Sequence, residues 1–335
     1  MSRRVPVAKV GDLADGQMRQ VEIDDHKIVL TRIDGEFHAV GGTCPHYGAP
    51  LADGTLHAGH LICPWHHAVL DAVTGELLEP PARDCVPKFE VEIEDEQVYL
   101  LVPDEISDSS DPAMVKPDAK KDKRTFVIVG AGAAGNAAAQ SLRENGFAGR
   151  ILLITKENRG PYDRPNLSKA YLQGEAPQEW LPLRSDEFYE KHGIELILGR
   201  RVTGIDRERH VVYVGSDEPI EYDLLLLATG GVPRTLDVPG ADLGNIFTLR
   251  SWDDSDAIIS AAEEGARAVV VGASFIGMEA AAALTDRKVK VTVVAPEKVP
   301  FEKVFGPQIG EMFLKEHEKR GVTFQLGANV KAFDG

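Results

Sequence analysis

Two cysteines and five histidines fall within the 24 residues from Cys44 to His67. Four of them make two short pairs: Cys44-x-His46 and, 16 residues later, Cys63-x-x-His66. Soft thiolates suit zinc or iron–sulfur, and imidazole suits several metals. Two Cys and two His also satisfy a tetrahedral structural zinc. Zinc fingers, however, usually pair Cys with Cys and His with His, whereas each pair here offers one of each. That arrangement lets the cysteines share one iron of a [2Fe–2S] cluster and the histidines the other. The remaining histidines fall off the pattern. His57 and His60 are expected to be solvated, and His67 to sit at the surface or beside a ligand. Cys85 matches no ligand position and reads as a small buried hydrophobe.

A second chemistry lies in two glycine turns. Gly130-x-Gly132-x-x-Gly135 follows the apolar run "RTFVIVG" and opens the Ala-rich stretch "AAGNAAAQSLRENG". The first glycine makes the turn, the second lets the backbone approach a pyrophosphate, and the third lets helix and strand pack. The helix N-terminus adds orphan N–H groups and partial positive charge. Glu157 follows the next apolar run, "RILLIT", where an acid can hydrogen-bond ribose hydroxyls. The pattern recurs as Gly272-Ala-Ser274-Phe-Ile-Gly277, with Ser in the middle glycine's place. Glu297 follows "VKVTVVA" and is the candidate acceptor for a ribose 2′-OH. An acid there repels a 2′-phosphate and favours NADH over NADPH. Two such turns in one chain suggest two nucleotides.

These residues need elements to hold them. Up to residue 102 the chain alternates in short runs, such as "RQVEID", "HKIVLTRI" and "QVYLLVP", punctuated by Asp34-Gly35 and Asp53-Gly54. That predicts an all-β module over 1–102. Residues 103–123 are polar, rich in Pro, Ser, Asp and Lys, and read as a flexible linker. From 124 the strand–turn–helix–strand order predicts α/β, Rossmann-like units with parallel sheets. The chain ends on "GVTFQLGANVKAFDG", which reads as a strand and its turn, so we expect a fragment. With 335 residues, 43% of them hydrophobic, two or three domains can bury ordinary cores. The net charge of −16, with 8 basic against 17 acidic residues in 1–102, argues against nucleic acid. Three cysteines argue against a disulfide framework. No apolar run spans a bilayer and the N-terminus lacks a signal peptide's apolar core, so a cytoplasmic protein is expected.

The cysteine–histidine stretch resembles a Rieske ferredoxin domain over residues 1–102. The resemblance implies Cys44, His46, Cys63 and His66 as the cluster ligands. Respiratory-chain Rieske proteins carry a disulfide-forming Cys on each loop, at the positions of Ala49 and Trp65 here. They also place a serine near the cluster after the last ligand, where this chain reads "HHAVL". Fewer hydrogen bonds to sulfur stabilise the reduced cluster less. A potential towards the lower end of the Rieske range, which begins at about −150 mV, is expected.

Residues 124–335, with "GPYDRPNLSKAYL" (160–172) and "YDLLLLATGGVPR" (222–234), resemble the ferredoxin reductases of ring-hydroxylating dioxygenases and apoptosis-inducing-factor-like proteins. The whole chain resembles the Rieske-bearing subgroup of the latter. The resemblance implies FAD at the first turn and NAD at the second, with an FAD-binding part over 124–247 and an NAD-binding part over 248–335. It places Arg164 near the FAD pyrophosphate, Lys169 beside the flavin ring, and Ala228, Thr229 and Gly230 against phosphate and ribose, with Arg234 following. Glu279 is implied as the partner of Lys169. Asn166 stands where the family usually has a second proline. The family's later FAD-binding "AxGD" segment and C-terminal domain are not in this sequence; a homodimer through that domain is implied. Electrons would run from NADH through FAD and the cluster to a one-electron acceptor protein or oxygenase component. A redox-sensing flavoprotein without fast turnover is the alternative. No Cys-x₄-Cys follows the first turn, which opposes disulfide reduction.

Overall fold

The computed structural model describes residues 2–215 and 218–334. The chain divides into two compact units, one ending at Met114 and the other beginning at Val115.

The first unit is all-β. Its larger sheet is antiparallel in the order β1 (Ser2–Lys9), β10 (Gln97–Pro103), β9 (Lys88–Glu94), β4 (Glu36–Gly41), β3 (His26–Ile33), β2 (Met18–Ile23). A smaller sheet of four short strands comprises β5 (Thr55–His57), β6 (His60–Ile62), β7 (Val69–Asp71) and β8 (Leu77–Glu79). Successive side chains on a strand point to opposite faces. Ile28 and Leu30 of β3 therefore enter one core with Phe89, Val98, Leu100 and Val102, while Val29 enters another with Val40, Leu51, Leu61 and Leu70. Both faces of β3 are covered, which explains its continuous apolar run. The second core also takes in Cys44 and Cys63.

Residues 103–123 differ from the expected flexible linker. Ile106 packs on the first core, the His26 ring meets Asp108 at 2.8 Å, and Ser110 exchanges two backbone hydrogen bonds with Cys85. Further on, the Val115 N–H donates to the Arg143 carbonyl and the Asp118 N–H to that of Ala148. Polar composition registers the missing apolar period but not these backbone pairings, which satisfy several of the segment's donors.

The second unit holds a parallel sheet ordered β13 (Ile194–Ile197), β12 (Arg150–Ile154), β11 (Thr125–Val129), β17 (Leu224–Leu227). Helix α1 (Ala133–Glu144) crosses from β11 to β12. One face of this sheet packs its Val127, Val129, Leu152 and Ile154 against Val212 and Val214 of a three-stranded antiparallel sheet, β14 (Val202–Asp206), β15 (Val211–Val214) and β16 (Glu218–Glu221). Helices α2 (Ala170–Gln173) and α3 (Asp186–Lys191) lie between β12 and β13 in the chain, and α4 (Trp252–Ala261) follows β17. A second parallel sheet has the order β18 (Arg267–Val271), β19 (Lys290–Ala295), β20 (Thr323–Leu326). Helices α5 (Phe275–Asp286) and α6 (Glu302–Lys319) make its crossovers. Each glycine motif thus sits where the α/β pattern requires, between a strand's C-terminus and a helix N-terminus.

Candidate functional site: a cysteine–histidine centre and two glycine turns

The two ligand loops have the same backbone. The Cys44 N–H donates to the Ala49 carbonyl at 2.8 Å and the Gly48 N–H returns to the Cys44 carbonyl at 2.9 Å. In the second loop Cys63 donates to Ala68 at 2.9 Å and His67 returns to Cys63 at 3.2 Å. The positions of Gly48 and His67 correspond, and both are left-handed, with φ of 78° and 62°. His67, read from sequence as surface or ligand-adjacent, is exposed and makes the turn that glycine makes in the other loop.

Both cysteines are 1% exposed, and the Cys44 thiol lies within hydrogen-bonding reach of Cys63. Nδ1 of His46 and Nδ1 of His66 stand 3.2 Å apart. The donors therefore sort into a sulfur pair and a nitrogen pair. No three His, Cys, Asp or Glu among the described residues gather at one point. Two irons, each taking two protein ligands and completed by bridging sulfide, call for such a sorting, and the donor set fits a [2Fe–2S] cluster. Burial pushes the Cys44 thiol up to about 11, with Cys63 adding to the effect and the backbone N–H groups of His46 and Tyr47 opposing it. A metal would release that proton. Those two N–H groups are sulfur hydrogen bonds that residue types do not reveal. His66, Tyr47 and Trp65 are exposed, the last two at 41% and 54%, so the nitrogen side reaches the surface. Ala49 and Ala68 are buried. His57 and His60 face each other across the β5–β6 hairpin, and both are exposed. Cys85 is half-buried, and its sulfur accepts from the Leu77 N–H at 3.5 Å.

In the second unit Gly130 has φ 110°, and a Cβ there would strike the Ala228 carbonyl. This is how the Ala228–Gly230 segment abuts the first turn. A Cβ on Gly135 would strike the Gly130 carbonyl, so helix and strand pack closely. Before Gly132 the space is open, with Arg164 Nε, at 4.0 Å from a Cβ placed there, the nearest side-chain atom. The turn, the α1 N-terminus and Arg164 frame a cradle suited to a diphosphate. Arg164 Nη2 pairs with Glu157 Oε1 at 2.7 Å. Burial alone would raise the Glu157 carboxyl, but hydrogen bonds from Tyr162 and Arg164 hold it below the usual carboxylate range. Arg164 Nη1 also donates to the Arg250 carbonyl at 3.0 Å, and Arg250 Nε to that of Gly231 at 3.3 Å. Arg250 was not singled out by sequence, because no motif links it to the turn.

Lys169 Nζ meets Glu279 Oε2 at 2.8 Å, across 110 residues of chain. Ser168, 6% exposed, donates to the same oxygen at 2.6 Å. At the second turn a Cβ on Gly277 would strike the Gly272 carbonyl, while Gly272 itself, at φ 109°, faces open space. Ser274 is the N-cap of α5 and its exposed side chain makes no capping bond. Glu297 lies two residues beyond β19 and pairs with Lys303 at 2.8 Å; that lysine holds the carboxyl below its usual range.

The model of the pyridine nucleotide-disulphide oxidoreductase family matches residues 124–335, and that of the Rieske [2Fe-2S] domain matches 3–90. The chain belongs to the pyridine nucleotide-disulphide oxidoreductase family and carries a Rieske domain. It is 40% identical over 335 residues to human apoptosis-inducing factor 3, an alignment covering 98% of this chain and 55% of that protein. It is 39% identical to rhodocoxin reductase of Rhodococcus erythropolis over 210 residues, 63% of this chain and 49% of the relative. Among solved structures, the covalent putidaredoxin reductase–putidaredoxin complex aligns with a TM-score of 0.61 and 36% identity, over 63% of this chain and 51% of that one. The chain spans about half the length of the curated relatives it matches.

Proposed function

We propose that the chain is the cofactor-bearing part of an NAD(P)H oxidoreductase of the ferredoxin-reductase kind, carrying its own Rieske electron carrier. The observation that supports this most is the presence, on one chain, of a two-by-two cysteine–histidine donor set and two glycine turns at strand–helix junctions. Cys44, Cys63, His46 and His66 would hold a [2Fe–2S] cluster. Gly130, Gly132, Gly135, Glu157, Arg164 and Ala228–Gly230 would bind FAD, and Gly272, Ser274, Gly277 and Glu297 would bind NAD. When bound, these groups supply the redox chemistry, from a two-electron donor to a one-electron carrier.

The chain's own residues orient and balance charge. Lys169 presents a cation that favours negative charge on a reduced ring beside it, and Glu279 and Ser168 hold that cation in place. Glu297 stays ionised and disfavours a 2′-phosphate, so NADH is the proposed donor. Exposed Tyr47, Trp65 and His66 offer a docking surface for a one-electron acceptor protein or oxygenase component. No described helix is long and apolar enough to cross a membrane, and we place the protein in the cytoplasm.

A second reading, a redox-sensing flavoprotein without fast turnover, draws support from the apoptosis-inducing factor that aligns along 98% of the chain. Steady-state reduction of a one-electron dye or cytochrome by NADH separates the two. Sustained multiple turnover supports the reductase. A single reduction followed by a stable reduced form supports the sensor.

A further inference from the structure

Tyr162 has no part in the assignments above, yet it stands at the centre of the first site. It is 4% exposed, and its hydroxyl has three partners. It donates to Glu157 Oε2 at 2.6 Å and accepts from Arg164 Nη1 at 2.7 Å and from the Trp252 N–H at 3.1 Å. A phenol oxygen has one proton and two acceptor sites, so the set is complete. Arg164 closes the ring by bonding Glu157 Oε1 through Nη2 at 2.7 Å. The Tyr162 ring meets Trp252 edge-on, with centroids 5.5 Å apart, and the Arg164 guanidinium lies 4.6 Å above it. Burial, followed by the bond to Glu157, pushes the phenol far above its ordinary value, so the proton stays on the tyrosine.

We propose that Tyr162 is a positioning residue for the first dinucleotide. Its hydroxyl aims the Arg164 guanidinium at the diphosphate beside Gly132 and the Glu157 carboxylate at the adenosine ribose, both referenced to the N-terminus of α4. The inference rests on the reading of the Gly130 turn as the FAD site. A long arginine without this bond keeps its charge but loses its fixed direction, and fixed geometry is what makes such a donor effective.

The test titrates the apo chain with FAD and follows flavin fluorescence. Tyr162→Phe keeps the ring against Trp252 and Arg164 and removes the hydroxyl. The expected result is FAD binding weaker by about tenfold or more, measured well below the variant's own thermal midpoint, since hydrogen bonds to charged groups are lost. Glu157→Gln, which leaves Tyr162 intact, should also weaken binding. The double variant should bind little worse than either single one, because the groups act as a unit. A purely structural tyrosine would give additive losses that follow the thermal midpoint. Unchanged FAD affinity in Tyr162→Phe, or full additivity, overturns the proposal. Failure of wild-type protein that also carries the family's later FAD-binding segment to bind FAD overturns the reading beneath it, and the proposal falls with it.

Discussion

His67 occupies the left-handed region in which a side chain costs roughly 1–2 kcal/mol relative to glycine. Gly48 fills the same place in the other ligand loop without that cost. His67→Gly should therefore hold or raise the thermal midpoint with iron content unchanged, whereas His67→Val should destabilise by about 1–2 kcal/mol. Thermal unfolding with an iron assay checks both, and a destabilised glycine variant contradicts the account. In the proposed function Glu297 sets the choice of nicotinamide cofactor. Glu297→Ala removes the carboxylate that pairs with Lys303, and the ratio of kcat/KM for NADPH over NADH should rise on the order of tenfold. An unchanged ratio would remove Glu297 from that role. At this scale the sequence is most legible where chemistry restricts residue type. The four proposed metal donors and the Lys169–Glu279 pair can be named from motif and resemblance, and the structure brings Lys169 and Glu279 to 2.8 Å. Ser168 escapes notice because its partner Glu279 lies 111 residues away, and Tyr162 and Arg250 because a lone hydroxyl or guanidinium has no spacing to betray it.

Helix α1 presents its N-terminus to the first turn, and its C-terminal end is held by a buried cation. Arg143 is 0% exposed and donates to the carbonyls of Phe147, Gly149, His192 and Gly193 at 2.6–2.8 Å. Burial pulls its guanidinium below the ordinary value, but the four carbonyls and the helix C-terminus favour a cation there. Arg143→Met keeps much of the volume and leaves those carbonyls unpaired in a buried site. A loss of about 3 kcal/mol or more is expected by denaturant titration. A loss below about 1 kcal/mol would mean that water replaces the guanidinium. The elements themselves are legible where period and length agree. Residues 133–144 and 275–286 form helices where the Ala-rich runs predict them. No glycine motif marks the sheet β14–β15–β16, and its apolar residues Val212 and Val214 gain meaning only by covering β11 and β12.

Across the whole chain, the boundary near 102 follows composition, whereas the packed unit extends to Met114. Ile106, Asp108 and Ser110 hold that extension to β3, β10 and Cys85. A chain cut after Met114 should retain its iron and unfold cooperatively. A cut after Val102 should lower the thermal midpoint, since it exposes part of the first core and breaks the Cys85–Ser110 pairing. Equal midpoints would show that the segment is a spacer after all. The chain joins a donor set for a one-electron cluster to two dinucleotide turns, and the proposed function requires electrons to pass between them. Anaerobic addition of NADH to the FAD- and iron-loaded protein, followed by low-temperature EPR, tests this most directly. A Rieske-type signal that grows with NADH and is absent from a His66→Cys variant is the expected result. Flavin bleaching with the cluster left oxidised would contradict it.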